Sequence, residues 1–98
     1  VTIENLKVDE SLVTTKPAGA DCLAGIFYRE TGGLIDTVTI AGTGSWSSSD
    51  RAYGIYLSAA TNAVSLEIAA SRITNVDTNG IEVMGDKLTA NINKTNTC

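Results

Sequence analysis

Four aromatic side chains carry most of the binding chemistry that this chain could offer: Phe27, Trp46, Tyr53 and Tyr56. Such rings present a broad apolar face, with a polar tip on Tyr and Trp, suited to covering a sugar ring or the surface of another subunit. Cys22 and Cys98 are the only thiols, so one disulfide or none can form. Asn93-Lys94-Thr95 is an acceptor sequon for N-glycosylation, a pattern short enough to arise by chance.

What could position these groups is a repeat. Gly-Ile-x-apolar occurs as Gly25-Ile26-Phe27-Tyr28, Gly54-Ile55-Tyr56-Leu57 and Gly80-Ile81-Glu82-Val83, 29 and then 26 residues apart. Such spacing marks stacked-repeat architectures. Between the copies lies a second element, apolar residues flanking a small hydroxyl: Val1-Thr2-Ile3, Val38-Thr39-Ile40, Val64-Ser65-Leu66 and Leu88-Thr89-Ala90. Leu66-Glu67-Ile68 fits the first of these nearly as well as Val64-Ser65-Leu66 does. Period two dominates, the signature of strands. Two strand motifs alternating at a period in the high twenties describe a chain that winds once per repeat and lays each strand on its predecessor. Ile26, Ile55 and Ile81 should stack inside, with Tyr28, Leu57 and Val83 as the neighbouring column. Corners should fall at Asn5, Gly42, Asn75 and Asn79. Residues 9–24 and 42–51 break the repeat and read as loops protruding from the wall. Phe27 and Tyr56 take the same outward position on adjacent strands, which places their rings about 5 Å apart. With Tyr53 and Trp46 they make either a binding platform or ordinary wall packing beneath the 42–51 loop.

Composition bounds the rest. The 98 residues make a single domain, 43% apolar but only 5% aromatic, with nine glycines and one proline. Seven Lys and Arg against eleven Asp and Glu give a net charge of −4. No basic stripe exists to neutralise phosphates, which argues against a nucleic-acid partner. No apolar run approaches the roughly 18 residues a membrane-spanning helix needs. The chain opens on a strand pattern without Met and reads as a processed product or a fragment, with an extracellular or cell-surface address.

The segments GIFYRETGGLIDTVTIAG, RAYGIYL and LEIAASRITNVDTNGIEV resemble the coils of the right-handed parallel β-helix repeat family, the pectate-lyase-like superfamily. The resemblance covers about residues 25–92. It implies a short right-handed parallel β-helix of three to four coils. Its functional implication is broad, because the family includes lyases, hydrolases, tailspikes, adhesins and structural proteins. Hydrolase relatives carry paired Asp with Gly-His-Gly, and this chain has no His. Lyase relatives carry a calcium site of clustered Asp with a basic residue. The candidates here would be Asp36, Asp50, Asp77 and Asp86 with Arg29, Arg51 or Arg72. No two acids are expected at the same position of adjacent coils, as a shared cation would require. We therefore expect neither an enzyme nor a cofactor or metal.

In a coil reading Cys22 and Cys98 lie three rungs apart, on the order of 14 Å, whereas a disulfide needs Cα atoms within about 7 Å. A bridge within the chain needs the tail to fold back along the wall, and a bridge between stacked copies needs last turn to meet first turn. Either thiol could equally be a free filler. No amphipathic segment is available as a cap. The expected role is a structural subunit that polymerises end to end with copies of itself, with Val1, Ile3, Leu88 and Ile92 at the junction. The alternatives are a polysaccharide-binding segment of an adhesin or tailspike, or a polysaccharide lyase. A β-sandwich pilin that donates its strand Val1 to Val8 to a neighbour is the rival fold.

Overall fold

The computed structural model describes residues 1–13, 22–43, 51–76 and 78–97, with only the backbone described at Arg51. Eleven strands follow one another among these residues: β1 (Thr2–Glu4), β2 (Lys7–Asp9), β3 (Cys22–Arg29), β4 (Gly33–Asp36), β5 (Thr39–Ala41), β6 (Arg51–Ser58), β7 (Val64–Ala69), β8 (Arg72–Thr74), β9 (Asn79–Met84), β10 (Leu88–Asn93) and β11 (Asn96–Thr97). Each of β1 to β8 pairs in parallel with the strand three places on. The sheets are thus β1-β4-β7-β10, β2-β5-β8-β11 and β3-β6-β9. This is a short parallel β-helix with three strands per coil, and the sandwich alternative, which needs antiparallel neighbours, is excluded.

One apolar cluster is shared by all three sheets: Ile35, Leu66 and Ile68 from the first, Ile40 and Ile73 from the second, Ile26, Tyr28, Ile55 and Leu57 from the third. The inward columns follow from register. Ile3, Ile35, Ile68 and Ile92 align in the first sheet, and Val8, Ile40, Ile73 and Thr97 in the second. Ile26, Ile55 and Ile81 align in the third as expected, beside Tyr28, Leu57 and Val83. Val83 departs from the expectation of burial and is 43% exposed, because among the described residues β9 is paired on one side only, with β6.

The hydroxyl-centred motif is corrected by the same register. Val38-Thr39-Ile40 does not lie over Val1-Thr2-Ile3, because Thr39 belongs to the second sheet and Ile35 is the partner of Ile3. Leu66-Glu67-Ile68 is the better match, with Ile68 over Ile35 and Glu67 over Leu34. The apparent motif merged two sheets because both place an apolar residue two positions from another.

The corner between first and second sheets uses one residue per coil. Asn5, Thr37, Ala70 and Lys94 all have φ between 47° and 54°, the left-handed region. Their amides continue the ladder: Asn5 donates to the Asp36 carbonyl, Thr37 to that of Ala69 and Ala70 to that of Asn93. Only Asn5 of these four carries a side chain that favours this conformation, so the others were invisible to composition. Gly42 and Asn75 mark the next corner as expected, with Glu10 at the equivalent point of the first coil. Asn79, expected at a corner, instead begins β9. The 9–24 insertion is likewise shorter than expected, since β2 runs to Asp9, β3 starts at Cys22 and Glu10 is buried.

The Gly-Ile repeat has a steric cause. A β-carbon on Gly25 would meet Cγ2 of Ile40 at 3.1 Å, one on Gly54 would meet Cγ2 of Ile73 at 2.5 Å, and one on Gly80 would meet Cγ2 of Thr97 at 2.9 Å. In every coil the glycine lets the third sheet close onto a second-sheet side chain of the coil that follows. The isoleucine after it then enters the core.

Candidate functional site

The outward face of the third sheet carries a group of side chains that combines aromatic, cationic and hydroxyl character around a concavity. Alternation along β3 and β6 turns Phe27 and Arg29 outward over Tyr56 and Ser58. With Cys22 and Ala24 these residues line a groove of about 280 Å³. Phe27 is 56% exposed, a large apolar ring offered to solvent. The Phe27 and Tyr56 ring centroids lie 5.0 Å apart at 65°, an edge-to-face contact. Tyr56 meets Tyr53 in the same way, at 5.0 Å and 63°. Tyr53 itself is buried, and its register partner Ala24 lines the groove. Below Tyr56 the column continues to Glu82, whose carboxylate accepts a 2.7 Å hydrogen bond from the Asn79 side-chain amide. The groove can hold a flat, partly apolar molecule against two rings, with a guanidinium and a hydroxyl at its rim.

Trp46 and Cys98 lie outside the described residues, as do Asp50 and Asp77. Cys22 is exposed and free among the described residues. The remaining acids and bases do not converge. The Asp36 carboxylate accepts from the Thr37 hydroxyl at 2.9 Å, and no ion pair joins it to Arg29. Glu4 and Asp36 do occupy the same position of adjacent coils, contrary to the sequence expectation, because Ile3 pairs with Ile35. No third ligand joins them: no group of three or more His, Cys, Asp or Glu able to hold a metal ion occurs among the described residues. Asn93 of the sequon is exposed at the end of β10, its amide 3.4 Å from a Glu67 carboxylate oxygen.

Two carboxylates that sequence reading passed over have defined surroundings. Glu30 accepts from the amides of Ala60 (2.7 Å), Thr61 (3.0 Å) and Asn62 (2.8 Å), closing the turn between β6 and β7. Those bonds hold its carboxyl below the ordinary carboxylate range. Glu10 is 5% exposed, one of its carboxylate oxygens has no hydrogen-bond partner, and burial pushes its pKa up to about 7. Nothing in the spacing announced either residue, since each is an acid beside a turn with no repeat at the same position of another coil.

The four residues expected at a subunit junction sit on end strands. Val1 is 70% and Ile92 47% exposed, while Ile3 and Leu88 are half-buried against the core. The backbone at these strands has a definite polarity. The Val1 ammonium donates to the Gly32 carbonyl, the Leu34 amide to the Val1 carbonyl and the Asn5 amide to the Asp36 carbonyl. Odd-numbered residues of this strand therefore face β4, which leaves the peptide groups of Thr2 and Glu4 on the open edge. At the other end the Ala70 amide donates to the Asn93 carbonyl and the Val64 amide to the Lys87 carbonyl. By the same alternation Leu88, Ala90 and Ile92 face outward from β10. No family model, curated protein or solved structure matches the chain.

Proposed function

We propose that this chain is an extracellular structural subunit that stacks end to end on copies of itself, continuing the first and second sheets from one copy to the next. The observation that carries the reading is the complementarity of the two open edges. If the Ile3-Ile35-Ile68-Ile92 column continues, Ile3 of one copy follows Ile92 of another. The Ile92 amide then meets the Thr2 carbonyl, and the Glu4 amide meets the Ile92 carbonyl, the same pattern that joins β1 to β4. In the second sheet Val8 follows Thr97 in the same way. Unpaired strand edges beside exposed apolar residues favour such addition. The sequon and the abundance of Thr and Ser support the extracellular address.

The test separates edge from core. Thr2→Pro and Glu4→Pro each remove an outward amide and leave the β1–β4 ladder intact, as edge positions allow. Sedimentation velocity of the unmodified chain should show assemblies that either substitution reduces to monomers with unchanged circular dichroism. Assemblies that persist in both variants would place the contact elsewhere.

A second reading is supported by the groove. Phe27, Tyr56 and Arg29 would suit a polysaccharide bearing carboxylates, with rings beneath the sugar face and the guanidinium on the acid. Calorimetric titration with a uronic-acid oligosaccharide should show binding that Tyr56→Ala weakens, and heats indistinguishable from dilution would dispose of this reading.

A further inference from the structure

The outward faces of the first and second sheets carry opposite charge. On β1, β4, β7 and β10 the charged residues are Glu4, Asp36 and Glu67, and no cation lies on these strands. On β2, β5, β8 and β11 they are Lys7 and Arg72, with Asp9 as the one acid. Asp9 is engaged locally, its carboxylate accepting from the Ser11 amide at 2.9 Å. Glu4, Glu67, Lys7 and Arg72 are exposed, and no ion pair between described residues engages them.

Register fixes where these charges stand. Lys7 pairs with Thr39 and Thr39 with Arg72, a column of cation, hydroxyl and cation in successive coils. Glu4 of the first coil pairs with Asp36 of the second, and Glu67, over Leu34, belongs to the third. Lys7 and Arg72 are therefore two rungs apart along the axis, about 9.6 Å, and Glu4 and Glu67 are separated axially by the same two rungs.

We propose that copies also pack side by side in the same axial sense, the second-sheet face of one against the first-sheet face of the next. Lys7 then meets Glu4, Arg72 meets Glu67 two rungs on, and the Thr39 hydroxyl faces Asp36 between them. Glu67 lies roughly 7 Å along its strand from the Glu4 column, a step taken up by the longer cationic side chain, Arg72. The contact joins two different faces, so it is heterologous and repeats from copy to copy. One exposed ion pair is weak and screened by salt. Side-by-side packing therefore rests on end-to-end stacking: a filament repeats the same pairs at every copy, and their sum holds neighbouring filaments together.

Electron microscopy of the full chain in low salt tests this, with circular dichroism to check folding. The unmodified chain should form bundles that separate into single filaments in about 0.5 M sodium chloride, where the screening length falls to about 4 Å. Lys7→Glu with Arg72→Glu, and separately Glu4→Lys with Glu67→Lys, should each give single filaments only. Mixing the two variants should restore bundles, because each then offers the charge that the other lacks. Should a variant fail to fold, the salt response of the unmodified chain decides. Bundles that survive salt or both reversals, or filaments that never bundle, would overturn side-by-side packing and leave end-to-end stacking standing. Absence of filaments would defeat both.

Discussion

Gly54 and Ile73 meet across the seam between the third and second sheets, so closely that a β-carbon on the glycine would fall 2.5 Å from the isoleucine Cγ2. The carbonyl oxygen of Gly80, at 2.7 Å, blocks the other way out. Gly54→Ala should therefore destabilise the fold by about 3 kcal/mol, the upper part of the range for overpacking a core. Gly25→Ala should cost less, because its nearest side-chain neighbour, Ile40, is 3.1 Å away. Urea denaturation of the two variants checks the order.

Ser71 is buried, and its hydroxyl accepts from the Val38 amide at 3.1 Å while donating to the Ala69 carbonyl at 3.0 Å. Ser71→Ala leaves that buried amide without its acceptor. The expected loss is about 1 to 3 kcal/mol, the cost of an unsatisfied buried polar group. Ser71→Thr should retain the bond, and equal stability of Ser71→Ala and the unmodified chain would show that another acceptor takes over.

Ala70 holds φ at 49° in an exposed corner, a conformation that a β-carbon disfavours. Ala70→Gly should relieve that strain and stabilise the chain by about 0.5 to 1 kcal/mol, despite the greater freedom of glycine when unfolded. Thermal denaturation gives the sign directly.

Two carboxylates make stability depend on pH in opposite senses. Glu10 titrates near 7 when folded against 4.5 ordinarily, so the folded state holds its proton more tightly. Its contribution is whole below pH 4.5 and is lost as pH rises through 7, by up to about 3 kcal/mol. Glu10→Gln should flatten stability between pH 5 and 8 on the order of that amount. Glu30 is shifted down, so its support of the 60–62 turn is present at neutral pH and fades as pH falls below the ordinary carboxylate range. Glu30→Gln should speed exchange of the Ala60, Thr61 and Asn62 amides at pH 7 and leave their exchange unchanged in acid.

The coil was legible because Gly-Ile recurs for a steric reason that every coil shares. The aromatic pair was legible for the same cause, since Phe27 and Tyr56 follow equivalent isoleucines. The division into three sheets was not. The short strands β2, β5 and β8 carry only one or two apolar residues each, and the single-residue corners at Thr37, Ala70 and Lys94 look like ordinary strand sequence.

Fibre diffraction from concentrated unmodified chain tests the assembly most directly. First and second sheets continuing from copy to copy predict a meridional reflection near 4.8 Å along filaments, lost with Glu4→Pro. A monodisperse monomer in sedimentation at the same high concentration, with no filaments and no ordered reflection, would contradict the account.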